Sequence, residues 1–145
     1  MGHISYYCEH NDQRLVFTGD CLFVGGAGRF FEGTATDMYP ALYEKLAKLP
    51  SDTLVYCGHE YTLSNYKFAL SIDGDNADLI EANEKAVKLR EEGKPTIPST
   101  IDVEIKTNPF MRVHSSNIQK NLGFNSDSDL IAVLAAVREA KNNFK

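Results

Sequence analysis

The sequence predicts an α/β protein, because strand signals are concentrated in the first part of the chain and helix signals in the second. Three short apolar segments bounded by turn residues are typical of strands: residues 4–8, 14–18 and 53–57. Apolar residues at three- and four-residue spacing are typical of amphipathic helices and are clearest over residues 76–92 and 127–142. Since the pattern changes near Gly58, we expect two domains, at residues 1–60 and 61–145.

Turn and cap residues define the elements of the first part. The cluster at residues 9–13 separates the first two strands, which predicts a hairpin. A helix is expected to begin at Thr36 or Asp37, both good N-cap residues, with Pro40 in its first turn. One apolar stripe supports this helix: Met38, Leu42, Leu46 and Leu49.

The second part is predicted to be helical throughout, with helices at residues 63–71, 76–92 and 127–142. Gly93 suits the end of the second helix, and the two prolines within residues 94–100 predict an extended connection. The last helix is expected to be capped by Ser126 or Asp127. Its apolar face comprises Leu130, Val133, Leu134 and Val137.

Composition and charge exclude several classes of protein. The chain has 145 residues, the size of one ordinary domain, with 15 basic and 20 acidic residues and a formal net charge of −5. Without a basic block we expect neither nucleic-acid nor membrane binding, and no apolar run approaches the roughly 20 residues of a membrane span. Three cysteines without a C-x-x-C pair, and the absence of a targeting pattern, favour the cytoplasm.

Three candidate metal ligands stand just outside predicted strands: His3, Asp20 and His59. Two imidazoles and a carboxylate suit zinc, iron or manganese, and Gly19 and Gly58 allow sharp turns beside them. Taken singly, each histidine is better explained as a surface or hydrogen-bonded residue than as a ligand. The spacing of the three does not define a metal site by itself.

Two cationic features suggest a ligand with carboxylates. The glycine-rich segment 25–33 carries Arg29, Phe31 and Glu32, and it either covers a ligand or forms a surface loop. Arg138 and Lys141 share one face of the last helix, where we expect both side chains to be exposed. They either bind the ligand or complement the helix dipole, and the spacing alone favours the helix dipole.

Seven segments, spread over nearly the whole chain, carry a family resemblance: residues 2–7, 16–20, 28–34, 56–61, 93–100, 108–112 and 137–141. With these segments in this order, the chain resembles the glyoxalase II (hydroxyacylglutathione hydrolase) family of the metallo-β-lactamase superfamily. The resemblance implies the C-terminal part of a metallo-β-lactamase-like αβ/βα sandwich, followed by a small all-helical domain that binds glutathione.

The activity implied by the resemblance is hydrolysis of S-lactoylglutathione to glutathione and D-lactate, a step of methylglyoxal detoxification. Family members use a binuclear centre of zinc, or of iron or manganese, which lowers the pKa of a bridging water so that hydroxide attacks the thioester carbonyl. Glutathione or an S-acylglutathione is therefore the expected ligand. The expected location is the cytoplasm, with mitochondria as the family's alternative.

The resemblance also assigns roles to residues. His3 matches a ligand of the first metal, Asp20 the catalytic carboxylate that bridges both metals, and His59 a ligand of the second. Five further residues match glutathione-binding positions: Arg29, Phe31, Tyr61, Arg138 and Lys141. Phe31 stands where tyrosine is usual and so lacks one hydroxyl, and Arg29 stands where lysine is common, which keeps the charge with a different geometry.

The chain departs from the family in one respect, since it has no T-H-x-H-x-D-H phrase. That phrase supplies three histidines and an aspartate of the metal centre, so the chain is expected to be inactive alone and to hold less than one metal ion. An alternative is a catalytically inactive module that binds glutathione or another protein. Because the predicted sheet is incomplete, we also expect its open edge to allow self-association.

Overall fold

The computed structural model describes residues 3–30 and 33–145, and within them the strands form one mixed sheet and one small ribbon. The strands are, in chain order, β1 (Tyr6–His10), β2 (Gln13–Gly19), β3 (Leu22–Phe23), β4 (Gly26–Ala27), β5 (Leu54–Cys57) and β6 (Ser99–Thr100). The larger sheet has the order β1-β2-β5-β6, and β3 pairs with β4. The α/β expectation is confirmed.

The hairpin of β1 and β2 closes through a two-residue turn. Asn11 and Asp12 both have left-handed φ angles, 46° and 63°, which is the conformation that a tight hairpin turn requires. His10 lies opposite Gln13 in the resulting register. Strand β1 therefore ends two residues later than predicted, at His10, because the turn occupies two residues instead of five.

Strand β2 connects the hairpin to the rest of the sheet. It runs parallel to β5 and places Val16 opposite Val55, and both side chains are buried beneath the helices. Strand β6 then pairs antiparallel with β5, with Ser99 opposite Val55. The part of the chain after Gly58 is therefore not all-helical, because the extended connection contributes an edge strand.

The described residues contain six α-helices: α1 (Ala35–Tyr39), α2 (Thr62–Ile72), α3 (Ala77–Glu91), α4 (Ile101–Thr107), α5 (Ser116–Asn121) and α6 (Leu130–Asn143). A π-helical turn (Pro40–Lys45) and a 3₁₀ turn (Leu46–Lys48) continue α1, and a second 3₁₀ turn covers Pro109–Met111. The predicted helices at 63–71 and 76–92 correspond to α2 and α3, with Asn76 as the N-cap of α3.

Two predicted helix starts are wrong. Helix α1 is capped by Thr34, not Thr36 or Asp37, and the Asp37 carboxylate accepts a hydrogen bond of 2.9 Å from the Thr34 amide. Helix α6 begins at Leu130 and is capped by Asp129, whose carboxylate accepts from the Ile131 amide at 3.2 Å. In both cases several candidate caps are adjacent in the sequence, and only the local turn selects one of them.

The hydrophobic core draws on both sides of Gly58. Val16, Leu22 and Val55 from the first part pack in one cluster with residues from the second part, among them Ile101, Phe110 and Val133. All six are at most 1% exposed. The division into domains at residues 1–60 and 61–145 stays a prediction, and the shared core joins the two parts closely.

Candidate active site and ligand cleft

A cleft with a volume of about 520 Å³ lies where strand ends meet α2 and α6. This volume is within the usual range for sites that bind small molecules. Six residues singled out from the sequence line it: Asp20, Arg29, His59, Tyr61, Arg138 and Lys141. They are separated by up to 121 positions in the chain, and the fold brings them to one concavity.

Asp20 and His59 form the acidic and imidazole end of the cleft. His59 Nε2 lies 3.4 Å from Asp20 Oδ1, and both side chains are at least half exposed. The two turns before them are joined by a hydrogen bond of 2.9 Å from the Gly58 amide to the Gly19 carbonyl. A Cβ at position 58 would lie 2.7 Å from Asp20 Oδ1, so glycine is required there for this approach.

His3 lies beside this pair but does not line the cleft within the described residues. Its Nε2 atom is 3.0 Å from the Thr18 carbonyl oxygen. Its ring packs against Gly19, where a Cβ would come within 3.2 Å of His3 Cε1. The third candidate ligand is thus held by the backbone at the end of β2.

The donors that the described residues supply do not make a metal centre. No group of three or more histidine, cysteine, aspartate or glutamate side chains gathers anywhere in residues 3–30 or 33–145. Asp20 and His59 are together, but His3 is turned to a carbonyl oxygen. These three side chains are of types that bind metals, but too few of their donor atoms point to one position to hold a metal ion.

An aromatic wall closes one side of the cleft. The rings of His59 and Tyr61 stack with centroids 4.9 Å apart, and Phe23 meets Tyr61 edge-on at 5.3 Å. Tyr61 is 49% exposed, so its hydroxyl group is accessible to a ligand. The stacking orients the His59 ring and provides an apolar surface next to the Asp20–His59 pair.

Arg138 is buried, which contradicts the expectation that its side chain is exposed. It is 7% exposed, donates to the carbonyl oxygens of Ala27 at 2.8 Å and Gly28 at 3.3 Å, and lies over the Phe110 ring at 4.9 Å. Burial, together with the nearby charge of Arg29, lowers the pKa of Arg138 to about 10. The sequence pattern could not show this, because the partners are backbone atoms of a distant loop.

Lys141 is partly buried beside Arg138. Its Nζ atom donates to the Ser64 carbonyl oxygen at 3.1 Å and lies 5.4 Å from the centroid of the Phe68 ring. Burial and the charge of Arg138 lower the pKa of Lys141. Among the described residues, neither Arg138 nor Lys141 has a carboxylate partner, so this end of the cleft is positive.

Two further residues, Arg29 and Phe31, were predicted from the sequence to bind the ligand. Arg29 is exposed at the cleft, where its guanidinium group is available to an anion. Phe31 lies outside the described residues. Outside the glycine-rich segment 25–33, sequence reasoning missed five lining residues: Phe23, Ser64, Asn65, Asn142 and Phe144. Ser64 and Asn65 could have been inferred, since they lie one helical turn beyond Tyr61.

Comparison with known proteins places this fold and site in a class. The model of the metallo-beta-lactamase superfamily matches residues 1–59, and the model of the hydroxyacylglutathione hydrolase C-terminus matches residues 60–144. The second model alone covers more than half of the chain. The chain belongs to the hydroxyacylglutathione hydrolase (glyoxalase II) family, as the motifs indicated.

Curated relatives agree with this assignment. The chain is 47% identical over 146 residues to the cytoplasmic hydroxyacylglutathione hydrolase of Arabidopsis thaliana, covering 99% of the chain and 55% of that protein. It is 49% identical over 143 residues to hydroxyacylglutathione hydrolases of Brucella ovis and Brucella abortus, covering 99% of the chain and 54% of each. The chain thus spans about half the length of these relatives. Within its described residues, none of the helices is long and apolar enough to cross a membrane.

Proposed function

We propose that this chain is the glutathione-recognising part of a glyoxalase II-type thioester hydrolase and that its cleft binds the glutathione moiety of an S-acylglutathione. The observation that carries the proposal is the convergence of Arg29, Tyr61 and Lys141 in the cleft that also contains Asp20 and His59. Arg29 and Lys141 bring positive charge to the cleft, and Tyr61 stacks on His59, so one proposed ligand-binding group lies beside the candidate metal-binding pair.

The chemistry of glutathione suits the positive end of the cleft. The tripeptide has two carboxylates, and Arg29 and Lys141 offer N–H donors to anions. Each charge-assisted hydrogen bond contributes roughly 1.5–3 kcal/mol before the cost of ordering the ligand. Arg138 has fewer donors to offer a ligand than Arg29, because its Nη1 group already bonds to the loop backbone and its Nε group to Asn142. We expect a dissociation constant on the order of 0.1–1 mM.

The thioester would lie at the other end of the cleft, near Asp20 and His59. We propose S-lactoylglutathione as the substrate, within methylglyoxal detoxification, and, for a complete enzyme of full length, two ions per site of zinc, with iron or manganese as alternatives. The described residues gather too few donors for such a centre, so we derive no hydrolytic step from them. What these residues do is bind the tripeptide and orient its acyl group.

A second candidate function is a module that binds glutathione without catalysis. It is favoured by the contrast between a well-formed cationic cleft and a donor set in which His3 is turned to the Thr18 carbonyl. Hydrolysis of S-lactoylglutathione separates the two functions. We expect little or none from the chain alone, and activity only when an added segment supplies the missing ligands.

Asp20→Ala tests the catalytic assignment in that complemented protein. We expect loss of hydrolysis, because the described part of the cleft has no second carboxylate beside His59. Asp75→Ala is the control, since Asp75 is exposed and lies outside the cleft. Retained activity in Asp20→Ala would reject the role of Asp20.

We also propose that the protein works in the cytoplasm. The three cysteines are free thiols, which suits a reducing compartment. One of the relatives carries "cytoplasmic" in its name. Fractionation of cells that express the chain is the direct test.

The binding proposal is tested by calorimetric titration with glutathione. Lys141→Ala is expected to weaken binding about tenfold, the equivalent of one charge-assisted contact. Lys67→Ala is a matched control, because both lysines lie 5.8 Å from the Phe144 ring centroid and only Lys141 lines the cleft. Equal affinities in the two variants, or no binding by the parent, would reject the proposal.

A further inference from the structure

A glycine-rich loop, residues 23–28, forms one wall of the cleft. It comprises the end of β3, a turn at Val24 and Gly25, strand β4 and Gly28, and all of it is buried. We call it the glycine loop. Phe23, Ala27 and Gly28 line the cleft directly. The shape of the cleft therefore depends on where this loop lies.

Side chains from the helical part of the chain form hydrogen bonds with the backbone amide and carbonyl groups of the glycine loop. The Asn108 amide nitrogen donates to the carbonyl oxygens of Phe23 at 3.2 Å and Gly26 at 3.0 Å. The Gly25 amide donates to Glu104 Oε2 at 2.9 Å. Two further donors complete the set: Asn65 to the Val24 carbonyl at 3.0 Å, and Arg138 to the Ala27 and Gly28 carbonyls.

Glu104 and Asn108 lie on the side of the loop that faces away from the ligand. Both are completely buried, and neither is among the described residues that line the cleft. The Glu104 carboxylate also accepts from Ser99 Oγ at 2.6 Å and from the Asn108 amide nitrogen at 2.8 Å. A buried carboxylate with three donors is a specific arrangement, since removing one partner leaves a costly unpaired polar group.

Tight packing limits the positions that the loop can adopt. A Cβ at Gly25 would lie 2.6 Å from the Tyr66 ring, and a Cβ at Gly26 would lie 2.7 Å from the Asn65 side chain. The loop is thus pressed against α2 on one side and bonded to Glu104 and Asn108 on the other. Movement of its backbone would break these hydrogen bonds or displace Phe23 from Tyr61.

We propose that Glu104 and Asn108 are positioning residues that hold the glycine loop in the shape that lines the cleft. Glutathione affinity then depends on two side chains that never touch the ligand. This inference rests on the proposed function for its ligand, and on the hydrogen bonds above for its mechanism. Sequence alone could not suggest it, because 79 positions separate Gly25 from Glu104.

Glu104→Gln is the variant that tests the proposal. It keeps the size of the side chain but replaces one acceptor oxygen by an NH₂ group, which then faces the donors of Gly25, Asn108 or Ser99. Relative to the parent, we expect amide hydrogen exchange in this variant to accelerate more in the glycine loop than in the rest of the chain. We also expect glutathione binding to weaken about tenfold, measured well below the melting temperature.

Two control variants separate positioning from general destabilisation. Ser99→Ala removes a donor to Glu104 that makes no hydrogen bond to the loop itself, so it should leave loop exchange and glutathione affinity near the parent values. Ile118→Val trims a completely buried side chain on α5, outside the cleft, and should lower stability without affecting either readout.

If Glu104→Gln does not fold, Asn108→Asp provides the same test. It keeps the oxygen that accepts from the Phe110 amide at 3.0 Å and removes the NH₂ group that donates to the loop and to Glu104. The proposal is overturned if the variant loses stability while loop exchange and affinity match those of Ile118→Val. If the parent does not bind glutathione, the proposed function fails, and the exchange comparison still decides whether Glu104 holds the loop.

Discussion

The Nη1 atom of Arg138 donates a hydrogen bond of 2.8 Å to the carbonyl oxygen of Ala27. This contact joins the last helix to the glycine loop across 111 positions of the chain. A guanidinium group that the family resemblance assigns to glutathione thus already serves the protein backbone. Arg138 lines the cleft, and its Nη1 group holds one wall of it.

Arg138→Ala is predicted to destabilise the fold. The change leaves the Ala27 and Gly28 carbonyls without their donor and removes the cation above the Phe110 ring. We expect the free energy of unfolding to fall by about 2–4 kcal/mol. Lys141→Ala should cost less than about 1 kcal/mol, because that side chain is only partly buried. Thermal or urea denaturation of both variants measures the difference, and equal effects would contradict the structural role of Arg138.

Stability is predicted to depend on pH through Glu104. Burial raises the pKa of this carboxyl group, against three hydrogen bonds that lower it. The folded state therefore binds a proton that the unfolded state has already lost above about pH 4.3, so stability falls as pH rises from there through the raised pKa. The nearby Tyr66 and Cys57 titrate only at higher pH, since burial, with a smaller contribution from the charge of Glu104, raises the pKa of both.

The measurement is denaturation of the parent and of Glu104→Gln across the range of about pH 4 to 8. Subtracting the two curves removes the contribution of all other groups. We expect the stability of the parent relative to the variant to decrease with rising pH. A stability difference between parent and variant that stays constant or increases with pH would contradict a raised pKa for this carboxyl group.

Metal content is predicted to be low. Only Asp20 and His59 face each other, and His3 lies against the Thr18 carbonyl, so fewer than one tightly held zinc or iron ion per chain is expected. Elemental analysis after exhaustive dialysis measures the content. About two ions per chain would contradict the prediction and would require donors that the described residues do not gather.

Self-association is predicted to proceed through strand β1, which no other strand in the described residues covers on its outer edge. Since His10 and Gln13 close the hairpin as a hydrogen-bonded pair, the peptide groups of Tyr7 and Glu9 face the free edge. Two copies paired antiparallel about Cys8 would join Tyr7 of each copy to Glu9 of the other.

Mild oxidation tests this arrangement. The two Cys8 residues would form a pair with Cα atoms about 4.5 Å apart, which suits a disulfide bond. Cys8 is exposed and free, and Cys57 provides the control because it is only partly exposed. We expect a covalent dimer that Cys8→Ser abolishes and Cys57→Ser does not. A covalent dimer that still forms in Cys8→Ser would contradict pairing through β1.

The sequence predicted those features that depend on local pattern or on long motifs. The hairpin, helices α2 and α3 and the juxtaposition of Asp20 with His59 follow from alternation, from helical spacing and from Gly-Asp and Gly-His corners. Helices α4 and α5 were missed because they have only seven and six residues. So short a segment presents too few turns for a periodic signal.

The burial of Arg138 and the bonds of Glu104 could not be predicted for a different reason. Their partners are carbonyl and amide groups of the glycine loop, and every residue type presents the same backbone groups. Asn108 likewise looks like a helix cap in the sequence, and it does accept from the Phe110 amide, while its NH₂ group serves the loop. Side-chain-to-backbone bonds over long distances leave no pattern in a single sequence.

NMR mapping of bound glutathione tests directly whether this cleft is the glutathione-binding site. During a titration, the backbone amides of Gly28, Tyr61, Ser64 and Lys141 should shift together and saturate with one dissociation constant, because all four residues line the cleft. Amides of Glu81 and Lys85, which line a separate groove beside α3, should stay unchanged. Shifts confined to that groove, or no shifts in the cleft at several millimolar glutathione, would contradict the account.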